Sequence, residues 1–160
     1  MLEGSKRIED MKAEQELAKF LDKYFYSRLE KEHPAILCKR EYEKNIQMNG
    51  IDVTIQALGK STLYIDEKVS IYYRNTMLPT FAFEVNSIQK ESGKRIPGWL
   101  INKDLKTTFY LLVWANVKCD KDTRLMKEVK DITESEYTIV EALLVNKKKI
   151  IAYLESEGFS

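Results

Sequence analysis

An almost continuous apolar run, Phe109 to Val117, is the feature that most limits how this chain of 160 residues can fold. Runs of this kind are typical of strands buried on both faces, because a central strand of a sheet contacts a covering layer on each side. The run is much shorter than the roughly 18 residues that cross a bilayer. We therefore predict a central strand in an α/β protein, with a mixed β-sheet flanked by helices, and no membrane span.

The composition fits one soluble globular domain over residues 1–160, since 44% of the residues are hydrophobic and only six are Gly and three Pro. One His and two Cys, His33, Cys38 and Cys119, are too few for a closed structural zinc site or a disulfide framework. The charged N-terminus does not resemble a secretion signal, so we expect a cytoplasmic protein. A net charge of +1 provides no global attraction for nucleic acid, which would need a local basic patch.

Hydrophobic spacing predicts a helix at each end of the chain. Apolar residues three or four apart form one stripe on the first helix, which ends at His33-Pro34. That stripe consists of Leu17, Phe20, Leu21, Tyr24, Phe25 and Leu29. Glu14 and Arg28 fall on the same stripe and are expected on the packed face. Near the C-terminus, Asn146 is expected to cap a helix whose buried side carries Ile150, Ile151 and Leu154.

Between the helices the hydrophobic period changes to two, which predicts strands. Asn49-Gly50 favours a two-residue hairpin turn, which would set Gln47 opposite Asp52. A third strand from Leu63 would carry Asp66 and Lys68 on its polar face, beside Asp52. Glu67 then falls on the apolar face and needs a partner there, because an unpaired buried charge costs several kcal/mol.

Two further segments follow along the chain. Phe81 to Asn86 is predicted as a short strand with Glu84 on its polar side. Gln89 to Pro97 is polar, contains Gly93 and is expected to form an exposed basic loop.

Carboxylates near a lysine are the residues that can carry chemistry, since no glycine-rich phosphate loop occurs. The i, i+2 spacing of Asp66 and Lys68 puts both side chains on one side of a strand. With Asp52 alongside, two carboxylates can bind a hard divalent cation, Mg²⁺ or Mn²⁺, through oxygen. Such a metal lowers the pKa of a bound water and neutralises charge on a phosphodiester, while Lys68 orients that water or stabilises the growing charge. The alternative is a plain same-face ion pair, with Asp52 a turn residue.

Gly50-Ile51-Asp52, thirteen intervening residues and then Asp66-Glu67-Lys68 resemble the PD-(D/E)XK phosphodiesterase superfamily, the restriction-endonuclease-like fold, and in particular its small bacterial or mobile-element members. Ile51 stands where the family name has Pro, and Asp66 replaces the more usual Glu. The resemblance implies a core of a helix, three strands, a helical element and another strand. It also implies that Asp52, Asp66 and Lys68 form the catalytic site, with Glu14 from the first helix as an additional acid.

The resemblance implies a Mg²⁺-dependent nuclease that hydrolyses DNA, and dimerisation would extend the small recognition surface of so short a chain. The alternative is an inactive nuclease-like fold that binds nucleic acid or protein, or a structural domain whose Asp-Glu-Lys run is accidental. The substrate form, sequence specificity, pathway and oligomeric state are not specified by these residues.

Several other polar residues are candidates for roles around the site, each with a structural alternative. Glu84 could add a third metal ligand or only line the polar side of the sheet, and Glu14 could instead pair with Arg28. Residues that could contact a phosphate or nucleic acid, although each type is also common on ordinary surfaces, are Gln47, Gln56, Lys90, Lys94 and Arg95.

Overall fold

The computed structural model describes residues 2–76, 78–89, 92–123 and 125–158, with their side chains from residue 11 onward. Four α-helices lie in these ranges: α1 (Leu2–Leu21), α2 (Ser27–Glu32), α3 (Lys44–Met48) and α4 (Lys147–Ser156). The described strands are β1 (Ile36–Arg40), β2 (Val53–Ala57), β3 (Leu63–Val69), β4 (Asn86–Ile88), β5 (Arg95–Pro97), β6 (Phe109–Val117) and β7 (Tyr137–Asn146). None of the helices in these ranges has the length and apolarity needed to cross a membrane.

Five strands form one sheet in the order β1-β2-β3-β6-β7, and β4 pairs with β5 in a separate two-stranded sheet. Strands β2 and β3 are antiparallel, with Val53 opposite Ile65 and Ile55 opposite Leu63. The Thr108 N–H donates to the Tyr64 carbonyl, and further along the Ser70 N–H donates to the Val113 carbonyl, so β6 runs parallel to β3. The predicted α/β class with a mixed sheet is therefore confirmed.

The chain divides into two compact units, each made of three segments. The first comprises Met1–Ile36, Val69–Pro79 and Val113–Ala142, and the second comprises Leu37–Lys68, Thr80–Leu112 and Leu143–Ser160. The expectation of a single domain over residues 1–160 stays a prediction.

In the first unit, α1 buries a narrow stripe against the segment that precedes β7. Ala13, Leu17 and Leu21 are buried, and the Glu16 carboxylate accepts a hydrogen bond of 2.9 Å from the Glu134 N–H. A π-helical turn, Asp22–Tyr26, then separates α1 from α2. Its wider turn changes which side chains face inward.

The π-helical turn corrects part of the predicted stripe. Tyr26 is buried, whereas Tyr24 and Phe25 are 51% and 36% exposed. Glu14 and Arg28 are exposed as well, so their predicted place on the packed face is wrong. The end of the helix at His33 is confirmed, because the His33 N–H caps it by donating to the Leu29 carbonyl.

The predicted hairpin at Asn49-Gly50 is wrong. Residues 44–48 form the short helix α3, and the Asn49 and Gly50 N–H groups close its end by donating to the carbonyls of Ile46 and Gln47. Gly50 has φ +72°, the left-handed conformation that often ends a helix. An Asn-Gly pair supplies this conformation to a helix end as readily as to a hairpin turn. The partner of β2 on this side is β1, and the Glu41 N–H donates to the Asp52 carbonyl at its end.

The predicted strand Phe81 to Asn86 is also wrong, since regular pairing begins only at Asn86, in β4. Strand β4 pairs with β5 so that Ser87 lies opposite Ile96, and the predicted basic loop is therefore the exposed end of a hairpin. The strand expected from the apolar run is confirmed as β6, whose side chains are mostly buried on both faces. The capped terminal helix is confirmed as α4, because the Asn146 side chain accepts a hydrogen bond from the Lys149 N–H.

Candidate functional site

The two aspartates of the candidate site belong to the second unit: Asp66 lies in the middle of β3, and Asp52 immediately precedes β2. Regular pairing of β2 with β3 ends at Val53, which lies opposite Ile65, and the Asp52 N–H also donates to the Ile65 carbonyl, at 2.8 Å. Asp52 therefore adjoins Asp66 at the irregular end of the strand and not as its direct cross-strand partner. The two side chains are close enough that the negative charge of Asp66 raises the pKa of Asp52.

Asp66 is the most deeply buried acid of the site, with 3% of its surface exposed. Its Oδ1 accepts an ion-paired hydrogen bond of 2.7 Å from Lys68 Nζ, as the i, i+2 spacing predicts for one face of a strand. Its Oδ2 is buried and has no hydrogen-bond partner among the described residues. Leaving a buried carboxylate oxygen without a hydrogen-bond donor lowers the free energy of unfolding. The stability of the fold alone therefore gives no reason for this oxygen to be there.

Asp52 is fixed through the backbone of the neighbouring strand. Its Oδ2 accepts a hydrogen bond of 2.7 Å from the Glu67 N–H, which engages one of its two carboxylate oxygens. Burial and the negative charge of Asp66 raise the pKa of Asp52 to about 6, against the pull of that hydrogen bond and of Lys68. Burial also raises the pKa of Asp66, and the Lys68 ammonium and a hydrogen bond to the Asp52 side chain oppose that increase. The two carboxyl groups therefore lie close together in a poorly solvated place, where burial disfavours the ionisation of both.

Glu67 has the partner that its position on the apolar face requires. The Arg40 guanidinium on β1 binds its carboxylate through two hydrogen bonds of 2.9 and 3.0 Å. Both side chains are nearly buried, 11% and 12% exposed, so each charge depends on the other. This pair joins β1 to the part of β3 whose backbone holds Asp52.

Glu41, the residue after β1, is a further buried acid near the site, but its carboxylate stabilises the fold. Its carboxylate accepts hydrogen bonds of 2.9 Å from Lys39 Nζ and from the Thr54 hydroxyl. The hydrogen bond and charge of Lys39 hold the pKa of Glu41 below its ordinary value. Both of its oxygens are thus occupied, which leaves Asp66 as the acid with an unused buried oxygen.

Lys147 and Tyr110, which the sequence did not indicate as site residues, also lie near Asp66. Lys147, the first residue of α4, is 7% exposed, and its ammonium donates to the Asn102 carbonyl at 2.9 Å. Burial lowers the pKa of Lys147, and the negative charge of Asp66 opposes that decrease. The buried Tyr110 hydroxyl donates to the Trp99 carbonyl at 2.9 Å, and burial together with the charge of Asp66 raises its pKa.

Gly50 determines how the chain enters the site. Its left-handed backbone is tied to the segment before β6 by the Thr107 hydroxyl, which donates to the Gly50 carbonyl at 2.7 Å. A Cβ at this position would overlap the Thr107 hydroxyl oxygen. Only glycine meets both conditions, two residues before Asp52.

The remaining predicted site residues lie elsewhere. The prediction that Gln47 faces Asp52 is wrong, because Gln47 lies on α3 and its side chain donates to the Glu41 carbonyl at 2.9 Å. Gln56 is exposed on β2, about 13 Å along the strand from Asp52 at about 3.3 Å per residue. Glu84 is exposed and precedes β4, so it is not on a strand beside β3. Glu14 is exposed on α1, in the first unit, and its part in the site stays a prediction.

Two of the three basic residues predicted to contact nucleic acid, Lys94 and Arg95, belong to the β4-β5 hairpin. Lys94 and Arg95 are exposed, and Lys90 lies outside the described residues. The base of the hairpin is fixed by the Gly98 N–H, which donates to the Val85 carbonyl at 2.8 Å. Trp99 follows directly, and its ring lies against Lys68 of the candidate site.

The donor set has the chemistry of a site for a small hard cation. The ligands that Asp52 and Asp66 offer are carboxylate oxygens, and one of them lacks any other partner. Within the described ranges no third acid, His or Cys joins them in a metal-binding group. Two carboxylates suit Mg²⁺, which usually keeps several waters and is often held by one or two carboxylates together with substrate phosphates.

Comparisons of this chain with protein-family models, with curated proteins and with solved structures found no match.

Proposed function

We propose that Asp52, Asp66 and Lys68 form the site of a Mg²⁺-dependent nuclease that hydrolyses phosphodiester bonds in DNA. The observation that carries the proposal is the buried Asp66 carboxylate, whose Oδ2 has no N–H or hydroxyl donor among the described residues and which lies beside the Asp52 carboxyl group and the Lys68 ammonium. A protein that needed only a stable strand pair would gain by replacing either aspartate, because burial and the neighbouring negative charge make these carboxyl groups costly to ionise. A bound cation removes that cost.

The proposed chemistry assigns a separate part to each side chain. Asp52 and Asp66 would hold the cation through their carboxylate oxygens. A bound Mg²⁺ would supply an acidified water and neutralise charge on the phosphate. The oxygen of a water attacks phosphorus, the P–O bond to the leaving oxygen breaks, and that oxygen takes up a proton. Lys68 would donate a hydrogen bond to the phosphate oxygen on which charge develops.

Membership of the PD-(D/E)XK superfamily is part of this proposal. It is supported by the spacing of Asp52, Asp66 and Lys68 in the sequence. The choice of DNA comes from the same resemblance. It is supported by Lys94 and Arg95, which give the β4-β5 hairpin an exposed positive charge on a chain with little net charge.

The proposal is tested by incubating the protein with duplex, branched and single-stranded DNA in Mg²⁺, in Mn²⁺ and in EDTA. We expect cleavage of at least one form that requires the metal and falls at least 100-fold in Asp66→Ala and Lys68→Ala. Asp122→Asn, at an exposed position, should cleave normally. Metal-dependent cleavage that survives Asp66→Ala would contradict the site.

The same assay distinguishes an inactive binding module. Metal-dependent stabilisation without cleavage of any DNA form would indicate that the fold binds and does not cut. A second copy of the chain could complete a longer recognition surface, so light scattering with and without DNA should accompany the cleavage assay.

A further inference from the structure

Lys68 has two electron-rich partners. Its ammonium contacts Asp66 Oδ1 at 2.7 Å and at the same time lies 5.2 Å from the centre of the Trp99 ring. A cation within about 6 Å of an indole face is attracted by the ring quadrupole, and tryptophan gives the strongest attraction of the aromatic side chains. Carboxylate and ring therefore bind one ammonium together.

Trp99 is held firmly enough to act as a platform. The centre of its ring lies 4.8 Å from the centre of the Tyr110 ring, in an edge-to-face arrangement, and 5.6 Å from the centre of the Phe83 ring. Its carbonyl accepts a hydrogen bond from the Tyr110 hydroxyl, and its neighbours Gly98 and Leu100 are buried. A Cβ on Gly98 would overlap the Glu84 carbonyl, which leaves the backbone little room to move. The indole is thus fixed by both its backbone and its ring contacts.

The two partners of Lys68 respond differently to a cation at the aspartates. A divalent cation on Asp66 would repel the ammonium and compete for the oxygen that it now contacts. Lys68 carries a flexible four-carbon stem, so without another partner its ammonium would disperse over many rotamers. The Trp99 ring has no oxygen ligand for Mg²⁺, so a bound ion would not compete with the ammonium for the ring. The attraction between ring and ammonium would therefore remain.

We propose that Trp99 is a positioning residue, which keeps the Lys68 ammonium beside the reacting phosphate when a divalent cation occupies Asp52 and Asp66. The inference rests on the proposed nuclease function for its catalytic part. The contact between Trp99 and Lys68 does not depend on that function and can be tested separately.

The first test detects the contact without any activity. Ring current from the indole should shift the ε-methylene protons of Lys68 upfield in NMR spectra of the full chain, and Lys68→Met identifies the signal. We expect the shift to be lost in Trp99→Leu and retained in Trp114→Phe, which changes the second of the two tryptophans in the sequence. We also expect it to persist when Mg²⁺ is added to saturation. Loss of the shift on adding Mg²⁺, or an unchanged shift in Trp99→Leu, would overturn the inference.

The second test measures DNA cleavage in Mg²⁺ with tryptophan analogues, which avoids the risk that Trp99→Leu fails to fold. In the Trp114→Phe protein, Trp99 is the sole tryptophan and can be replaced by fluorinated tryptophans of nearly the same shape and a weaker ring quadrupole. We expect kcat to fall progressively with fluorination, by about 5- to 30-fold in all, with KM for DNA changed less than twofold. An unchanged kcat across the series would contradict the positioning role.

The two tests keep separate failures apart. If the wild-type protein cuts no DNA but the NMR shift behaves as expected, the nuclease proposal fails and the contact between Lys68 and Trp99 stands. If the protein cuts DNA but kcat does not change with fluorination of Trp99, the nuclease proposal stands and Trp99 contributes only to the structure.

Discussion

Replacing Asp52 by Asn should stabilise this protein in the absence of metal, and the gain should appear only as the pH rises above about 4. The substitution removes one of two neighbouring buried carboxyl groups, Asp52 just before β2 and Asp66 within β3. The Asn side-chain oxygen can still accept the hydrogen bond that the Glu67 N–H donates to Asp52 at 2.7 Å. The change therefore removes the charge and keeps the contact.

The size of the gain follows from the raised pKa of Asp52, which is about 6 against an ordinary value of 3.8. Below pH 3.8 the carboxyl group is protonated in the folded and unfolded chains, so the charge costs nothing. Between pH 3.8 and 6 only the unfolded chain ionises, and stability falls by about 1.36 kcal/mol for each pH unit. Above pH 6 the cost is constant at about 3 kcal/mol. Asp52→Asn should recover up to this amount at pH 8 and little at pH 4.

Urea denaturation in EDTA at half-unit steps from pH 4 to pH 8 measures this gain, with Asp122→Asn as the control at an exposed position. Mg²⁺ should then reverse the order. At 100 times its Kd it should add about 2.7 kcal/mol to the wild-type protein and nothing comparable to Asp52→Asn. A gain that does not depend on pH, or the absence of any gain at pH 8, would refute the electrostatic account of the site.

Two further predictions concern the approach to the site and the proposed DNA contact. Gly50→Ala should lower the melting temperature more than Gly59→Ala, because both glycines have positive φ but only a Cβ at Gly50 would overlap Thr107; equal losses would contradict this view of the turn. Lys94→Ala and Arg95→Ala should each reduce the slope of log Kd for DNA against log salt by about 1, measured by fluorescence anisotropy, and unchanged slopes would remove the hairpin from the binding surface.

Two local signals in the sequence predicted their structure well. The apolar run from Phe109 forms β6 with the predicted bounds, and Asn146 caps α4, because each of these signals has one common structural use. Asn49-Gly50 has two uses, and the hydrophobic pattern around it could not distinguish a hairpin turn from a helix end. In the structure the pair ends the short helix α3, so Gln47 lies on that helix and not opposite Asp52.

Part of the candidate site was predictable because strand alternation fixes which side chains share a face. The contact between Asp66 and Lys68 followed from their spacing. Asp52 lies just before β2, outside its regular pairing with β3, so strand alternation alone did not fix its position. The partner of Glu67 was predicted to exist, but its identity as Arg40 depended on which strand lies beside β2. Lys147 gave no signal, since nothing in a run of three lysines at a helix start indicates which one is buried.

Anomalous diffraction from a crystal soaked in Mn²⁺ would test the central claim most directly. We predict an anomalous peak about 2.1 to 2.2 Å from oxygens of both Asp52 and Asp66, with Asp66 Oδ2 among its ligands and Lys68 Nζ displaced from Oδ1. Carboxylates that point apart, or saturating Mn²⁺ with no peak between them, would contradict the claim that these aspartates form a metal site.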